Sequence, residues 1–125
     1  MDRKFIATAF GYAILGLALG IYMAASKVHV QFVTHAHIML VGFLLSFVYG
    51  LCHKLWLNNA TSKMAIAQFY FHQIGTVLLL GGLFLMFGGF IGVGKIDPFL
   101  AVSSISVFIG LILMKILFLK ATRKV

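Results

Sequence analysis

The chain has 125 residues, of which 62% are hydrophobic and only 10% are charged, and it carries a formal net charge of +8. Soluble domains contain roughly 45–50% apolar and about 25% charged residues, so this composition excludes an ordinary soluble domain and indicates one membrane-embedded domain. The basic residues flank apolar runs and do not cluster with base-reading or stacking groups, which argues against nucleic acid as a partner.

Four apolar segments are long enough to cross a lipid bilayer. Spanning a hydrocarbon core of about 30 Å requires about 20 mostly apolar residues, and the segments cover roughly residues 5–25, 32–57, 64–93 and 99–119. Short connections such as these favour neighbouring antiparallel helices. We therefore predict an all-α membrane protein whose single domain, 1–125, is an up-down-up-down bundle of four transmembrane helices.

Basic residues are distributed unevenly between the two ends of this bundle. Eight Lys and Arg residues lie near the N-terminus, the second loop and the C-terminal end, whereas the first and third loops contain only Lys27 and Lys95. Loops rich in Lys and Arg stay in the cytoplasm. Both termini are therefore predicted to be cytoplasmic, in a multi-pass protein of the inner (cytoplasmic) membrane.

Small and polar residues recur on one face of three helices. Gly16 and Gly20 of the first helix form a small-xxx-small pair, which is typical of a packing face. Residues three, four or seven positions apart share a helix face, and on the third helix these are Gln68, His72, Gly75, Leu79, Gly82, Met86 and Gly89. The fourth helix has Ser103, Ser106, Gly110 and Met114 in the same relation. These faces are predicted to pack inside the bundle.

The second segment begins with two histidines, His35 and His37, inside an apolar run. An ionisable residue within the membrane is costly and indicates a functional site. Each helical residue turns the side-chain direction by about 100°, so the two imidazoles point in opposite directions. The direction of His35 continues in a stripe of small and polar residues that is predicted to face protein: Met39, Gly42, Ser46, Tyr49 and His53.

The three remaining histidines have simpler interpretations. His72 of the third helix is either a core residue hydrogen-bonded to a neighbouring helix or a ligand, and both interpretations stay open. His53, beside Lys54 near the end of the second helix, is expected to contact water at the membrane interface. His29 is expected to be exposed in the first loop.

Haem is the cofactor that this histidine pattern suits best. A closed zinc site needs four N, S or O ligands, and besides histidine the chain offers only two carboxylates and one cysteine. Haem needs one or two axial imidazoles and an apolar slot between helices. We predict a b-type haem, with iron ligands among His35, His37 and His72. Gly42 and Gly75 would open space for the flat macrocycle.

A resemblance to haem-copper oxidases lies in the segment Val33-Thr34-His35-Ala36-His37-Ile38-Met39-Leu40-Val41-Gly42-Phe43. In the second helix of their catalytic subunit, a histidine followed four residues later by methionine ligates low-spin haem, and His35 with Met39 is similar in spacing. Their tenth helix has two histidines on opposite faces, and His35 with His37 is similar in arrangement. The nitric-oxide-response haem-copper membrane proteins have a similar signature, with an acidic residue where this chain has Ile38.

The resemblance implies haem ligation at His35 and His37, with Met39 and Gly42 in the same site. The family's catalytic subunit consists of three four-helix arcs, and this chain is similar to one arc. A homotrimer is therefore implied, in which histidines of different chains hold haem. The chain lacks the family's adjacent His-His pair and its His-to-Tyr spacing, so copper is weakly supported and oxygen reduction by one chain is not expected.

The predicted function is thus a haem-binding integral membrane protein that transfers electrons or binds a diatomic gas. Histidine on both sides of the iron favours electron transfer, and one open side favours gas binding. The alternatives are a non-haem protein that handles copper or zinc, a small transporter whose histidines line a path, and a structural subunit of a membrane complex. The sequence does not identify a redox partner.

Overall fold

The computed structural model describes residues 1–123, and this part of the chain contains four long helices and no strand. They are α1 (Asp2–Ser26), α2 (Phe32–Leu55), α3 (Lys63–Phe87) and α4 (Val93–Thr122), and each is long and apolar enough to cross a membrane. Large apolar side chains such as Ile14, Ile21 and Phe108 are exposed on the outside of the helices. The all-helical fold is therefore consistent with a multi-pass membrane protein.

The helix boundaries lie within three residues of the predicted ones, except around the third connection. α3 ends at Phe87 and not at residue 93, because two glycines follow it. The Gly88 amide donates to the carbonyl of Phe84 (2.9 Å), and Gly89 has a positive φ of 75°. α4 begins at Val93 and not at residue 99, so Pro98 lies in its second turn, where it removes the hydrogen bond to the carbonyl of Gly94.

A π-helical segment, Ile38–Leu44, lies within α2 directly after His37. In such a segment a backbone amide donates to the carbonyl five residues back, as Leu45 does to Leu40. The wider turn changes the direction of the residues that follow it, and π-helical segments are frequent at functional sites. The predicted stripe of α2 is nonetheless buried from its third residue onward: Gly42, Ser46, Tyr49 and His53.

Glycines allow α1 and α2 to pack closely. The close contacts are Gly50 with Ile6, Gly42 with Tyr12, Gly16 with Ile38, and Gly20 with His35. A Cβ atom at Gly42 would lie only 2.7 Å from the Tyr12 ring, so these positions require the absence of a side chain. The partners run in reverse order along the two helices. Both glycines of the predicted packing face of α1 are in contact with α2, which confirms that prediction.

The polar faces predicted for α3 and α4 meet each other. The buried residues on these faces are Gln68, His72, Gly75, Leu79 and Gly82 of α3, and Ser103, Gly110 and Met114 of α4. The hydroxyl of Ser106 donates to the carbonyl of Phe71 (2.8 Å). Gly110 allows the backbone of His72 to approach α4 closely. Gly89 lies beyond the end of α3 and does not belong to this face.

Hydrogen bonds and a small core join the four helices. The Gln31 side chain, just before α2, donates to the carbonyl of Phe84 near the end of α3 (3.0 Å), and the hydroxyl of Ser46 pairs with the ring of His72 (2.9 Å). A buried cluster joins α1, α2, the second loop and α4: Phe5, Tyr49, Leu57 and Met114. Polar residues of α2 and α3 therefore meet deep inside the bundle.

Candidate functional site

The two histidines at the start of α2 have different surroundings. The Nδ1 atom of His35 lies 2.8 Å from the carbonyl oxygen of Gly16 in α1, and the His35 ring packs on Gly20. The Nδ1 atom of His37 lies 2.9 Å from the carbonyl oxygen of Val33 in its own helix. His37 is half-buried and shares its helix face with Val33 and Leu40, whose apolar side chains are exposed. His37 therefore lies on an outer face of the bundle.

Both hydrogen bonds determine which ring nitrogen carries the proton. A carbonyl oxygen only accepts, so Nδ1 is the donor in His35 and in His37. In the neutral ring Nε2 then carries the lone pair. Histidines that bind metals usually have this arrangement, in which the second ring nitrogen donates to a carbonyl or carboxylate oxygen. Both side chains are therefore suited to bind iron through Nε2.

Gly42 and Gly75 are predicted to open space for haem. Neither of them borders open space in this structure. Tyr12 lies against Gly42, and Ser106 lies against Gly75. Met39 packs against α1 and belongs to the contact between α1 and α2. Neither Gly42 nor Gly75 therefore provides a slot for a flat macrocycle between the helices.

His72 lies at the centre of the bundle and is fully buried. Its Nε2 atom is 2.9 Å from the hydroxyl oxygen of Ser46 in α2, and its ring packs edge-on against Tyr49 with 4.9 Å between ring centroids. The Nδ1 atom has no hydrogen-bond partner within residues 1–123. His72 is therefore hydrogen-bonded to a neighbouring helix, as one interpretation of the sequence predicts, and one of its nitrogens is unpaired in the described residues.

His53 is fully buried, so the expectation that it contacts water at the membrane interface is wrong. Its ring stacks on Phe5 of α1, with 5.4 Å between centroids and 21° between planes. Neither of its nitrogens has a hydrogen-bond partner in the described part of the chain. The position of His53 on the small and polar stripe of α2 was the signal of burial. His29, in contrast, is exposed in the first loop, as predicted.

His53 and His72 belong to a larger group that we call the core polar cluster: Tyr49, His53, Gln68, His72 and Thr76. All five side chains are fully buried, and seven of their nitrogen and oxygen atoms have no hydrogen-bond partner among the described residues. An unsatisfied buried polar group costs about 1–3 kcal/mol, so each of these atoms favours contact with a polar partner.

The three candidate iron ligands, His35, His37 and His72, do not come together in one chain. Ser46, which pairs with His72, follows His35 on α2 by eleven residues, or about 16 Å of helix rise. Within residues 1–123, no three His, Cys, Asp or Glu side chains form a group that could hold a metal ion. The described residues of one chain therefore do not form a closed metal site.

Comparison with known proteins gives no relative for this chain. No protein-family profile, no curated protein and no solved structure matches it.

Proposed function

We propose that this chain is an integral membrane protein that binds b-type haem through histidine and transfers electrons or binds a diatomic gas. The observation that carries the proposal is the hydrogen bond from Nδ1 to a backbone carbonyl in both His35 and His37, which leaves Nε2 of each ring able to ligate iron. A polar nitrogen without a partner is costly in a membrane-spanning helix. Ligation of iron would remove this cost.

The residues around His37 would determine how a haem behaves. The carbonyl of Val33 holds the imidazole in one orientation, and the exposed apolar side chains of Val33 and Leu40 would exclude water from a bound macrocycle. Bound haem supplies either one-electron transfer, when histidine occupies both axial positions, or gas binding, when one position is open.

A second copy of the chain would complete the site. His35 faces α1 and His37 faces outward, so one chain does not offer both imidazoles to one iron. The face around His37 is apolar and exposed, which suits contact with a macrocycle or with another copy. We therefore infer a homo-oligomer. The analogy with the three four-helix arcs of the haem-copper oxidases favours a trimer with α2 at its centre.

In the membrane, the proposed arrangement is an up-down-up-down bundle with both termini in the cytoplasm. The reverse order of the contacts between α1 and α2 supports antiparallel neighbours, as in Gly50 with Ile6 and Gly16 with Ile38. The concentration of Lys and Arg near the termini and the second loop supports the orientation in the inner membrane. His37 would then lie near the outer face.

Absorption spectra of the detergent-extracted protein, expressed with added haem precursor, test the proposal. We expect a Soret band, and sharp α and β bands after reduction with dithionite. Carbon monoxide then separates the two activities. An unchanged spectrum indicates histidine on both sides of the iron and electron transfer, whereas a shifted Soret band indicates an open position and gas binding.

A colourless wild-type preparation would contradict the proposal. Copper or zinc in such a preparation, measured by elemental analysis, would favour the metal-handling alternative. If His35→Ala and His37→Ala lowered stability but left the chromophore of the wild type unchanged, the two histidines would have a structural role only.

A further inference from the structure

A cleft opens at the end of the bundle where α2 and α4 end. It lies between the second loop and the last turns of α4, and we call it the interfacial cleft. Its volume is about 920 Å³, within the range of about 300–1,000 Å³ that is typical of ligand sites. Its lining includes Trp56, Leu57, Leu117, Lys120 and Arg123. None of these residues belongs to the core polar cluster or to the proposed haem site.

A tight turn in the second loop forms one wall of the interfacial cleft. Asn58 and Asn59 both have positive φ (52° and 55°), which asparagine adopts more readily than most residues. The amide of Asn59 donates to the carbonyl of His53 (2.8 Å). Leu57 is only 7% exposed, whereas Trp56 is 47% exposed. This wall therefore combines a buried apolar side chain with an accessible indole.

The interfacial cleft lies at the level of lipid headgroups. α4 has 30 residues, which give about 45 Å of helix rise, so it is longer than a hydrocarbon core of about 30 Å. Lys120 lies in its last turn, Arg123 directly follows it, and Trp56 directly follows α2. Tryptophan and basic side chains are typical of the boundary between membrane and water. The cleft therefore opens where phospholipid headgroups are found.

The charge of the interfacial cleft is positive. Lys120 and Arg123 are three residues apart, so they share a face of α4, and both are exposed. The only acidic residues are Asp2 and Asp97, and neither of them lines the cleft in the described part of the chain. The Asp2 carboxylate instead accepts a hydrogen bond from the Arg3 amide (2.7 Å). The cleft therefore favours an anionic ligand.

Apolar side chains lie beside these two cations. Leu57 belongs to the small buried core, and Leu117 packs against that core. The ring of Trp56 packs edge-on against Phe118, with 5.5 Å between centroids. A soluble phosphate compound is polar on all sides, whereas a phospholipid carries its phosphate next to glycerol esters and acyl chains. The combination of cationic and apolar lining matches the phospholipid.

We propose that the interfacial cleft binds the headgroup of an anionic phospholipid, with Lys120 and Arg123 on the phosphate and the leucines against the first carbons of the acyl chains. Basic pockets at the cytoplasmic ends of transmembrane helices bind anionic headgroups. Arginine can hold phosphate through two parallel hydrogen bonds, and lysine adds a second positive charge. Binding of the lipid requires only that the helices cross a bilayer and is independent of haem.

Fluorescence of Trp56 measures lipid binding at the cleft, because Trp56 is the only tryptophan of the chain and lines the cleft. The protein is placed in phosphatidylcholine vesicles with a minor fraction of phosphatidylglycerol, and either one lipid or the other is brominated. Bromine quenches tryptophan only at close range, so the two measurements give the relative affinity of the lipids. We expect phosphatidylglycerol to be preferred at least about tenfold, since each basic residue near the surface favours anionic lipid about fivefold.

Two double variants separate the cleft from the overall charge of this end of the bundle. Lys120→Gln with Arg123→Gln is expected to abolish most of the preference for phosphatidylglycerol. Lys4→Gln with Lys63→Gln is the matched control, because it removes two exposed cations that do not line the cleft. The control variant is expected to retain the preference of the wild type.

Inorganic phosphate distinguishes a membrane lipid from a soluble phosphate compound. In detergent without lipid, replacing chloride by inorganic phosphate at constant ionic strength is expected to leave the emission of Trp56 unchanged. A saturable change that is lost in the Lys120→Gln, Arg123→Gln variant would assign the cleft to soluble phosphate and overturn the proposal.

Two further results would overturn the lipid site. One is equal affinity of phosphatidylglycerol and phosphatidylcholine for the surroundings of Trp56 in the wild type. The other is an equal loss of preference in the two double variants, because the net charge of this end of the bundle would then attract the lipid without a contribution from the cleft.

Discussion

At the scale of single residues, Tyr12 contributes to two contacts that hold the helices together. Its hydroxyl donates to Oε1 of Gln73 (2.9 Å), and Nε2 of the same amide donates to the hydroxyl of Thr8 (2.9 Å). Gln73 thereby joins α3 to α1 within the membrane-spanning part of the chain. The ring of Tyr12 also fills the space beside Gly42.

Replacing Tyr12 by phenylalanine keeps the ring and removes the hydroxyl. We expect Tyr12→Phe to lower the free energy of unfolding by about 1–3 kcal/mol, because Oε1 of Gln73 loses its donor. Thermal unfolding in detergent measures the effect. Tyr22→Phe is the control, since Tyr22 is 61% exposed. Equal unfolding temperatures for the two variants would contradict the importance of this hydrogen bond.

The sequence predicts which residues are buried better than it predicts their partners. The stripe from His35 to His53 and the polar face of α3 follow from helical periodicity, and most of their members are buried. The burial of His53 agrees with its place on this stripe; its position beside Lys54 near the helix end favoured contact with water, because periodicity does not show that Phe5 of another helix covers it. For the same reason, periodicity could not reveal that Tyr12 fills the space beside Gly42.

At the scale of helices, local chemistry explains most boundaries. α3 begins at Lys63 because the hydroxyl of Ser62 accepts a hydrogen bond from the Ala65 amide (3.1 Å), and it ends where glycines follow Phe87. The π-helical segment Ile38–Leu44 was not predicted. A long apolar run shows no change of period at such a segment, and close packing against α1 provides no local signal in the sequence of α2.

Alanine substitutions at two glycines separate the effect of helix packing from the effect of helix propensity. Gly42→Ala would place a Cβ atom 2.7 Å from the Tyr12 ring, and we expect this overlap to lower the free energy of unfolding by about 1–3 kcal/mol. Gly81→Ala is the matched control on α3, because nothing lies within 4 Å of the added Cβ atom. It should be neutral or stabilising by up to about 1 kcal/mol.

Unfolding in mixed micelles with increasing denaturing detergent compares these two variants. A Gly42→Ala variant as stable as Gly81→Ala would mean that α1 and α2 do not approach each other as closely as the structure describes.

At the scale of the whole molecule, the exposed faces determine how copies of the chain associate. Helical periodicity predicts the inner faces of one bundle, but a contact between copies involves outer apolar faces that resemble lipid-facing ones. This is why four helices follow from the sequence, whereas the number of chains in the assembly rests on analogy.

We expect haem to be bound by an oligomer. The mass of the haem-containing species, measured by light scattering or native mass spectrometry in detergent, should correspond to two or more chains, because His35 and His37 of one chain face different neighbours. A monomer that retains haem would contradict assembly between chains.

The haem content of the wild type and of two histidine variants tests the central claim most directly. The exposed His29 is the matched control for His37, because both are histidines near the same end of the bundle. We predict a Soret band of equal intensity per chain in the wild type and in His29→Ala, and loss of most of that intensity in a folded His37→Ala protein. A His37→Ala protein with the full haem content of the wild type would contradict the proposal.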